Sequence, residues 1–500
     1  ADHMLFEANG TDYGLGVASL NEVSGPANLL ADYHLDAGSG AIDHAQPLIW
    51  VAHDVDGDMR PYRGAPDVGA DEVSCLAHVV GGGGVYFTIQ EAVGVATSGE
   101  TVRVAEGTCY ENVAITETLT LEGGWDQAFV TRASDPASVT TIDGMGRGRA
   151  ISITEASGSI APVIDGFTLT GGDATGLGGS GIIYGYDVGG GLYSGGADTT
   201  VSHCIVRDNV ASTSGIGWGG GLGFYWGNAT VRDCLIEDNV ASTTSSGYGG
   251  GVYFRYDAPT LCDNIIQDNV ASMTDQGYGG GVASHSSALT MERNNVRRNV
   301  ANKVNTNPSW KAYGGGIFLY GTTDPLLRNN VVADNRLVGS GDGSGLYLAY
   351  TDLRLLHVTL ARNTGGNGQG VYAVNGATVG MTNTIVVSHA VGVEASGAGT
   401  VIDLAATLWG TGAWANGDDV LTTCGGVVNT TAPELWEMPG FVDAEDRDYH
   451  INAGSAAVDA GIAAGVLHDI DGDRRPMGTA PDLGADEFGL MLFLPLILRG

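Results

Sequence analysis

The stretch GGGLGFYWGNATVRDCLIEDNVASTTSSGY, residues 219–248, runs without a gap into GGGVYFRYDAPTLCDNIIQDNVASMTDQGY, residues 249–278. Both are thirty residues long, and superposing them sets the glycine triplets on each other, Leu222 on Val252, Val231 on Leu261, Ile236 on Ile266 and Asn239 on Asn269. The columns extend one period to either side. They pass through Gly189–Gly191, Leu192, Val201, Val206 and Asn209 before, and through Gly279–Gly281, Val282, Met291, Val296 and Asn299 after. A fixed period of this size marks a repeat architecture.

An amphipathic helix would space its apolar residues three and four apart. Here short β-branched and aromatic runs alternate with Gly, Asn, Asp and Ser, the pattern of strands joined by tight corners. A few short strands cannot bury an apolar face alone, so successive coils must stack at about 4.8 Å, like residue over like residue. The glycine triplets are predicted at a corner of positive φ and close backbone approach, and the asparagine column at a left-handed bend. The expected fold is therefore all-β, a right-handed parallel β-helix with three short strands per coil.

The Gly-Gly-Gly-aliphatic spacing together with Asp-Asn-Val-Ala at 208–211, 238–241 and 268–271 resembles the secreted bacterial right-handed β-helix repeat proteins of the pectin-lyase-like superfamily. The resemblance covers roughly residues 75 to 487 and implies an extracellular or cell-surface location. The fold hosts lyases, hydrolases, adhesins and structural shafts, so it implies no single activity.

A formal charge of −35 with only two lysines, Lys303 and Lys311, argues against nucleic acid or an anionic membrane as partner. The acidic coat suits extracellular solubility and divalent cations. The chain starts at Ala1 and shows no signal peptide, which reads as a processed or cropped product.

Five segments are expected. Residues 1–74 duplicate the far end: Asp32-Tyr33-His34 matches Asp448-Tyr449-His450, Asp54-Val55-Asp56-Gly57-Asp58 matches Asp469-Ile470-Asp471-Gly472-Asp473, and 65–72 matches 480–487. They read as the closing module of a preceding or neighbouring unit. Residues 75–160 read as a cap and first coils, opened by a short amphipathic helix at Tyr86–Val93, because an uncovered coil exposes unpaired backbone. Residues 161–411 form the regular helix and 412–489 a loop-rich closing module. Residues 490–500, LMLFLPLILRG, form an apolar tail too short and too interrupted by Pro495 to span a bilayer. It resembles tails that end some secreted bacterial surface proteins. Leu492, Phe493, Leu494, Leu496, Ile497 and Leu498 would serve as a sorting signal, as a strand donated to a neighbour, or as a strand on the protein's own surface.

Four sets of residues are candidates for function. Cys75 with Cys109, which flank the first coil, and Cys204 with Cys234, one period apart, are candidate disulfides; buried thiols are the other reading of the second pair. Asp54, Asp56, Asp58 and Asp469, Asp471, Asp473 have the alternate spacing of the first half of a calcium loop, whose second half is absent; calcium or a network with the following Arg60 and Arg475 would fit. Strand alternation predicts that Tyr193, Tyr253, Phe318, Tyr347 and Tyr372 face outward, with Tyr225, Arg255, His285 and Tyr320 two residues further on, and a second column at Trp218, Tyr248, Tyr278 and Tyr313. Such rings would stack on sugars, on a partner or on each other. Asp257, with Arg255 and His285, is the best candidate for a catalytic group, but the middle coils carry no convincing carboxylate cluster.

The expectation is a secreted structural or adhesive β-helix of the cell surface, assembling with other copies head to tail, with extracellular glycans as further partners and no cofactor except calcium. A polysaccharide lyase or glycosidase, or a glycan-binding module without turnover, is the alternative.

Overall fold

The computed structural model describes residues 75–82, 84–155, 160–179, 185–304 and 310–489, together with the backbone of a parallel strand pair, Leu5–Phe6 with Val23–Ser24. The rest of the duplicated opening segment, with Asp54, Asp56 and Asp58, and the apolar tail with Leu492, Phe493, Leu494, Leu496, Ile497 and Leu498 lie outside the described residues.

The chain is a parallel β-helix. Leu192 stands over Leu222, Leu222 over Val252, and Val252 over Val282. The file continues through Ile317, Leu346, Val371 and Val393, and every one of these side chains is fully buried. Burying each stabilises the coil by about 1.5–3 kcal/mol relative to exposure. Three stacks of strands run most of the length. In one coil they are Leu222–Gly227, Thr230–Arg232 and Leu235–Glu237, each paired in parallel with its equivalent thirty residues on. Two shorter stacks complete the regular coils, one through Val240–Ser242 and one through Gly247–Tyr248.

The corners differ from expectation in a way that explains the asparagines. The left-handed residues are Asp208, Asp238 and Asp268, at φ 56°, 53° and 55°, not the asparagines that follow them. Asp also tolerates that conformation, and its side chain lies outside the core, exposed at Asp208 and Asp238 and paired with Arg298 at Asp268. The next residue then points inward. Nδ2 of Asn239 donates to the carbonyls of Val206 and Glu237 at 2.8 and 2.9 Å and to Oδ1 of Asn269 at 3.0 Å. Its own Oδ1 accepts from the backbone and side-chain nitrogens of Asn209 at 3.2 and 3.0 Å. The ladder continues through Asn299, Asn335 and Asn363, where Nδ2 reaches His389.

A second ladder, Asn264–Asn294–Asn330, occupies the preceding corner. Cys204 and Cys234 stand in this column. They are buried free thiols and not a disulfide. Each Sγ donates to the carbonyl two residues back, Ser202 and Arg232, at 3.1 Å. The asparagines make the equivalent bond, as Nδ2 of Asn294 does to Glu292 at 3.1 Å. Cys75 and Cys109 are bonded.

One end and one flank of the helix are covered. At the first coil, helix Ile89–Val95 starts at an N-cap, Thr88, whose side chain accepts from the Glu91 amide; the Glu111 carboxylate accepts from the Ile89 and Gln90 amides at 2.7 and 3.0 Å. Far along the chain, residues 439–489 lie on the outer face of the third stack. Tyr449, Ile451, Leu483 and Ala485 pack on Val331, Ala333, Ala361, Ile385 and Leu408. Tyr449 donates to Asp334 at 2.7 Å and the Ala485 amide to Thr359 at 3.0 Å.

Candidate ligand-binding face

The rings predicted to face outward do leave the core, but the face they form is covered. Tyr193, Tyr253 and Phe318 are 1%, 2% and 5% exposed, which corrects the expected exposed wall. The cause is the short stack of corner strands, which lays a second column of rings over the first. Trp218 stacks on Tyr253 at 4.9 Å, Tyr278 meets Phe318 edge-on at 5.3 Å, and Tyr248 lies flat on Tyr278 at 4.3 Å. Tyr347 and Tyr372, half-buried, extend the ladder at 5.3 and 5.6 Å. Each such pair contributes roughly 0.5–1.5 kcal/mol beyond its buried area. Burial pushes the Tyr248 hydroxyl up to about 12 and the Tyr253 and Tyr278 hydroxyls up as well, so the ladder stays neutral.

The accessible rings sit one residue past this face, where the chain turns toward the next strand. Trp226, Tyr256 and Tyr350 are 58%, 40% and 54% exposed. They share one column with Gly196, Ser286, Gly321 and Asn375, and every member has positive φ; those of Trp226, Tyr256 and Tyr350 are 58°, 60° and 54°. Glycine and asparagine adopt this conformation readily, whereas an aromatic residue there costs about 1–2 kcal/mol. Half-buried Tyr225 and Tyr320 brace the column from behind. Tyr225 lies 5.8 Å from Tyr256, Trp226 5.3 Å from Tyr256, and Tyr320 5.2 Å from Tyr350. The guanidinium of Arg255 lies 4.9 Å from the Tyr256 ring and 5.1 Å from that of Trp218, and Nη2 donates to the Tyr256 hydroxyl at 3.2 Å. Ser286 and Gly321 leave a notch between Tyr256 and Tyr350, which lie three coils apart, about 15 Å.

Tyr225 and Tyr320 are among the rings expected from the sequence; Trp226, Tyr256 and Tyr350 are not. Their signal was present: bulky rings at a repeat position that other coils give to glycine, serine or asparagine.

The catalytic candidates do not come together. The Asp257 carboxyl is packed against the Trp226–Gly227 backbone with both oxygens sealed from solvent, and burial pushes it up to about 8, so it is largely protonated at neutral pH. Among the described contacts no hydrogen bond or ion pair joins it to Arg255 or His285. The imidazole of His285 stacks on Tyr320 at 4.8 Å, and burial followed by the charge of Arg255 holds it down at about 4.

In the closing module, both oxygens of Asp469 are taken by backbone amides: Oδ1 by Asp471 and Asp473 at 3.0 and 2.7 Å, Oδ2 by Glu487 at 3.0 Å. Arg475 pairs with Glu487 at 2.9 Å, fully buried, so the buried pair joins arginine to that glutamate. Ligand atoms of His450, Asp471 and Asp486 lie within 4.8 Å of one another. His450 holds Asp448 and Asp471 at 2.5 and 2.9 Å through its two ring nitrogens, and the bond to Asp471 leads in pushing it up to about 10.

No family model matches the chain, and no curated protein is similar to it. Among solved structures, that of pectate lyase Pel9A superposes with a TM-score of 0.36 at 10% identity, covering 80% of this chain and 90% of that one. Among the described residues no helix is long and apolar enough to cross a membrane.

Proposed function

We propose that this chain is a non-catalytic adhesive scaffold of the cell surface, a rigid β-helix that presents the shelf of Tyr225, Trp226, Tyr256, Tyr320 and Tyr350 to a neutral glycan. The observation that carries this reading is the placement of three exposed rings on left-handed backbone. Turn geometry sets the left-handed backbone of the whole column, but neither it nor core packing calls for an exposed ring there; a ligand stacking on the ring does. The acidic net charge favours a neutral over an acidic chain. Against a lyase or glycosidase reading of the same face stands the sealed carboxyl of Asp257, which no substrate could reach.

The test is affinity electrophoresis of the full chain against a panel of soluble neutral polysaccharides, with product analysis of the same mixtures. Retardation by at least one polysaccharide, lost in the double variant Trp226→Ala/Tyr256→Ala and without new reducing or unsaturated ends, supports the proposal. Equal retardation of the double variant, no retardation by any polysaccharide, or release of either kind of end overturns it.

A further inference from the structure

Asn295 breaks an aliphatic column. The residues paired in its file are Ile205, Leu235 and Ile265 in the coils before and Val331 in the coil after. At this one coil the repeat gives up a hydrocarbon side chain for an amide whose Oδ1 is sealed from solvent and accepts from no partner among the described residues. A buried acceptor left without a donor costs roughly 1–3 kcal/mol. Asn295 borders a cavity of about 30 Å³ between the third stack and the closing module, and His450 and Asp486 line the same cavity. It has room for about two waters.

Three donors converge there from three parts of the closing module. Strand Asp448–Ile451 brings His450, the turn that follows Asp469 brings Asp471, and the segment before Glu487 brings Asp486. Each is held in place by something else. Nδ1 of His450 meets Asp448 at 2.5 Å, which leaves Nε2 toward Asp471 at 2.9 Å. A carboxylate behind one ring nitrogen, with the other nitrogen turned to the ion, is the usual setting of a metal-bound histidine. Asp486, only 8% exposed, accepts from the Ile451 amide at 2.7 Å through Oδ2, and no contact among the described residues takes its Oδ1. The Asp471 amide is tied to Asp469 at 3.0 Å. Arg447 also lines the cavity, outnumbered by the carboxylates of Asp448, Asp471 and Asp486.

We propose that His450, Asp471 and Asp486 form a site for a divalent ion of the zinc class, with Asn295 accepting a hydrogen bond from a water on that ion. With no ion bound, Nε2 carries the proton it shares with Asp471; the ion takes that proton's place between the same groups. One imidazole nitrogen with two carboxylates is a donor set for zinc, cobalt or manganese and not for calcium, which takes oxygen ligands. The three ligand atoms already lie within 4.8 Å of one another. Donors that sit about 2.0–2.2 Å from one ion must stand roughly 3–3.5 Å apart, so small side-chain rotations complete the site. It is distinct from a calcium loop at Asp469, Asp471 and Asp473, where backbone amides hold both oxygens of Asp469. An ion bound here ties strand Asp448–Ile451 to both of the later segments.

The experiment strips the full chain with a chelator, dialyses it against a known free concentration of zinc chloride and counts zinc per chain, with amide hydrogen exchange on the same samples. Asp471→Asn and His450→Gln are carried beside it; Asp471 is exposed, so its substitution leaves the packing intact. The same donor types recur in the sequence at His34, Asp56 and Asp71, outside the described residues, so the quantity read is the zinc lost on substitution and not the total. The expected result is one equivalent lost in each variant, with calcium at equal concentration displacing none of it. Exchange in 448–451 should slow about tenfold in the full chain when free zinc is ten times its dissociation constant, and stay unchanged in both variants. Equal zinc in all three proteins, displacement by calcium, or zinc held without slower exchange in 448–451 overturns the proposal. No glycan enters any of these readouts, so this test and that of the shelf fail separately.

Discussion

Nδ2 of Asn239 lies 3.0 Å from Oδ1 of Asn269, thirty residues further along the chain and one coil further along the axis. Every asparagine in the ladder is both donor and acceptor to its neighbours, inside a corner that water does not reach. Replacing Asn269 by alanine strands the carbonyls of Ile236 and Gln267, which it now satisfies at 2.8 Å, and the amide of Asn239. We expect Asn269→Ala to cost about 2–4 kcal/mol, read as a lower urea midpoint. A loss under about 0.5 kcal/mol would mean that the ladder is decoration.

The cysteines make a second test. Titration under denaturing, non-reducing conditions should find the thiols of Cys204, Cys234, Cys262 and Cys424 free and Cys75 joined to Cys109 in peptide maps. Replacing both bonded cysteines by serine should loosen the first coil and lower stability by about 2–4 kcal/mol, whereas Cys234→Asn, which extends the neighbouring ladder by one rung, should be tolerated.

Asp257 gives a pH-dependent outcome of definite sign. Its folded-state value of about 8 stands above the unfolded carboxylate range, so the protonated form is favoured by folding. The contribution is full below pH 4, is lost as pH rises to 8, and stays lost above. Asp257→Asn keeps the shape without the ionisation. It should match the wild type at pH 4 and exceed it at pH 9 by roughly 2–5 kcal/mol, measured by urea unfolding at the two values. Equal stability at both would mean that the carboxylate finds compensation when charged.

His450 has the same sign for a different reason. Its value is raised to about 10, first by the hydrogen bond to Asp471, so what it contributes to holding the closing module is complete below its unfolded value near 6.5 and fades as pH climbs toward 10. Amide exchange in 448–451 and 469–475 should therefore speed up over that window beyond the intrinsic rate. His450→Gln should remove the extra slope; an unchanged slope would assign it elsewhere.

The fold was legible because stacking repeats a physical demand thirty residues apart. The file of Leu192, Leu222, Val252 and Val282 must be apolar in every coil, and a period states that directly. The corners were legible only in part. Sequence spacing marks Asp-Asn as a bend, but which of the two turns left-handed depends on what lies inside, and it is the inward ladder that leaves the bend to Asp208, Asp238 and Asp268. Strand alternation told correctly that Tyr253 leaves the core, yet could not tell that Trp218 returns over it from the preceding coil. The shelf was missed because Trp226 and Tyr256 lie just past the strand face on which alternation fixed attention, in a column where only the comparison of one coil with the next shows a ring replacing glycine or serine.

If Trp226 and Tyr256 serve a ligand and not the fold, the variant that separates the two roles is Trp226→Gly with Tyr256→Asn, which relieves the left-handed backbone while removing both rings. The decisive measurement is its thermal stability alongside its binding to whichever neutral polysaccharide the wild type retains. Stability within about 1 kcal/mol of the wild type, or above it, is expected, since relief of the backbone offsets the lost ring contact, together with loss of binding. A marked drop in stability with binding intact would contradict it.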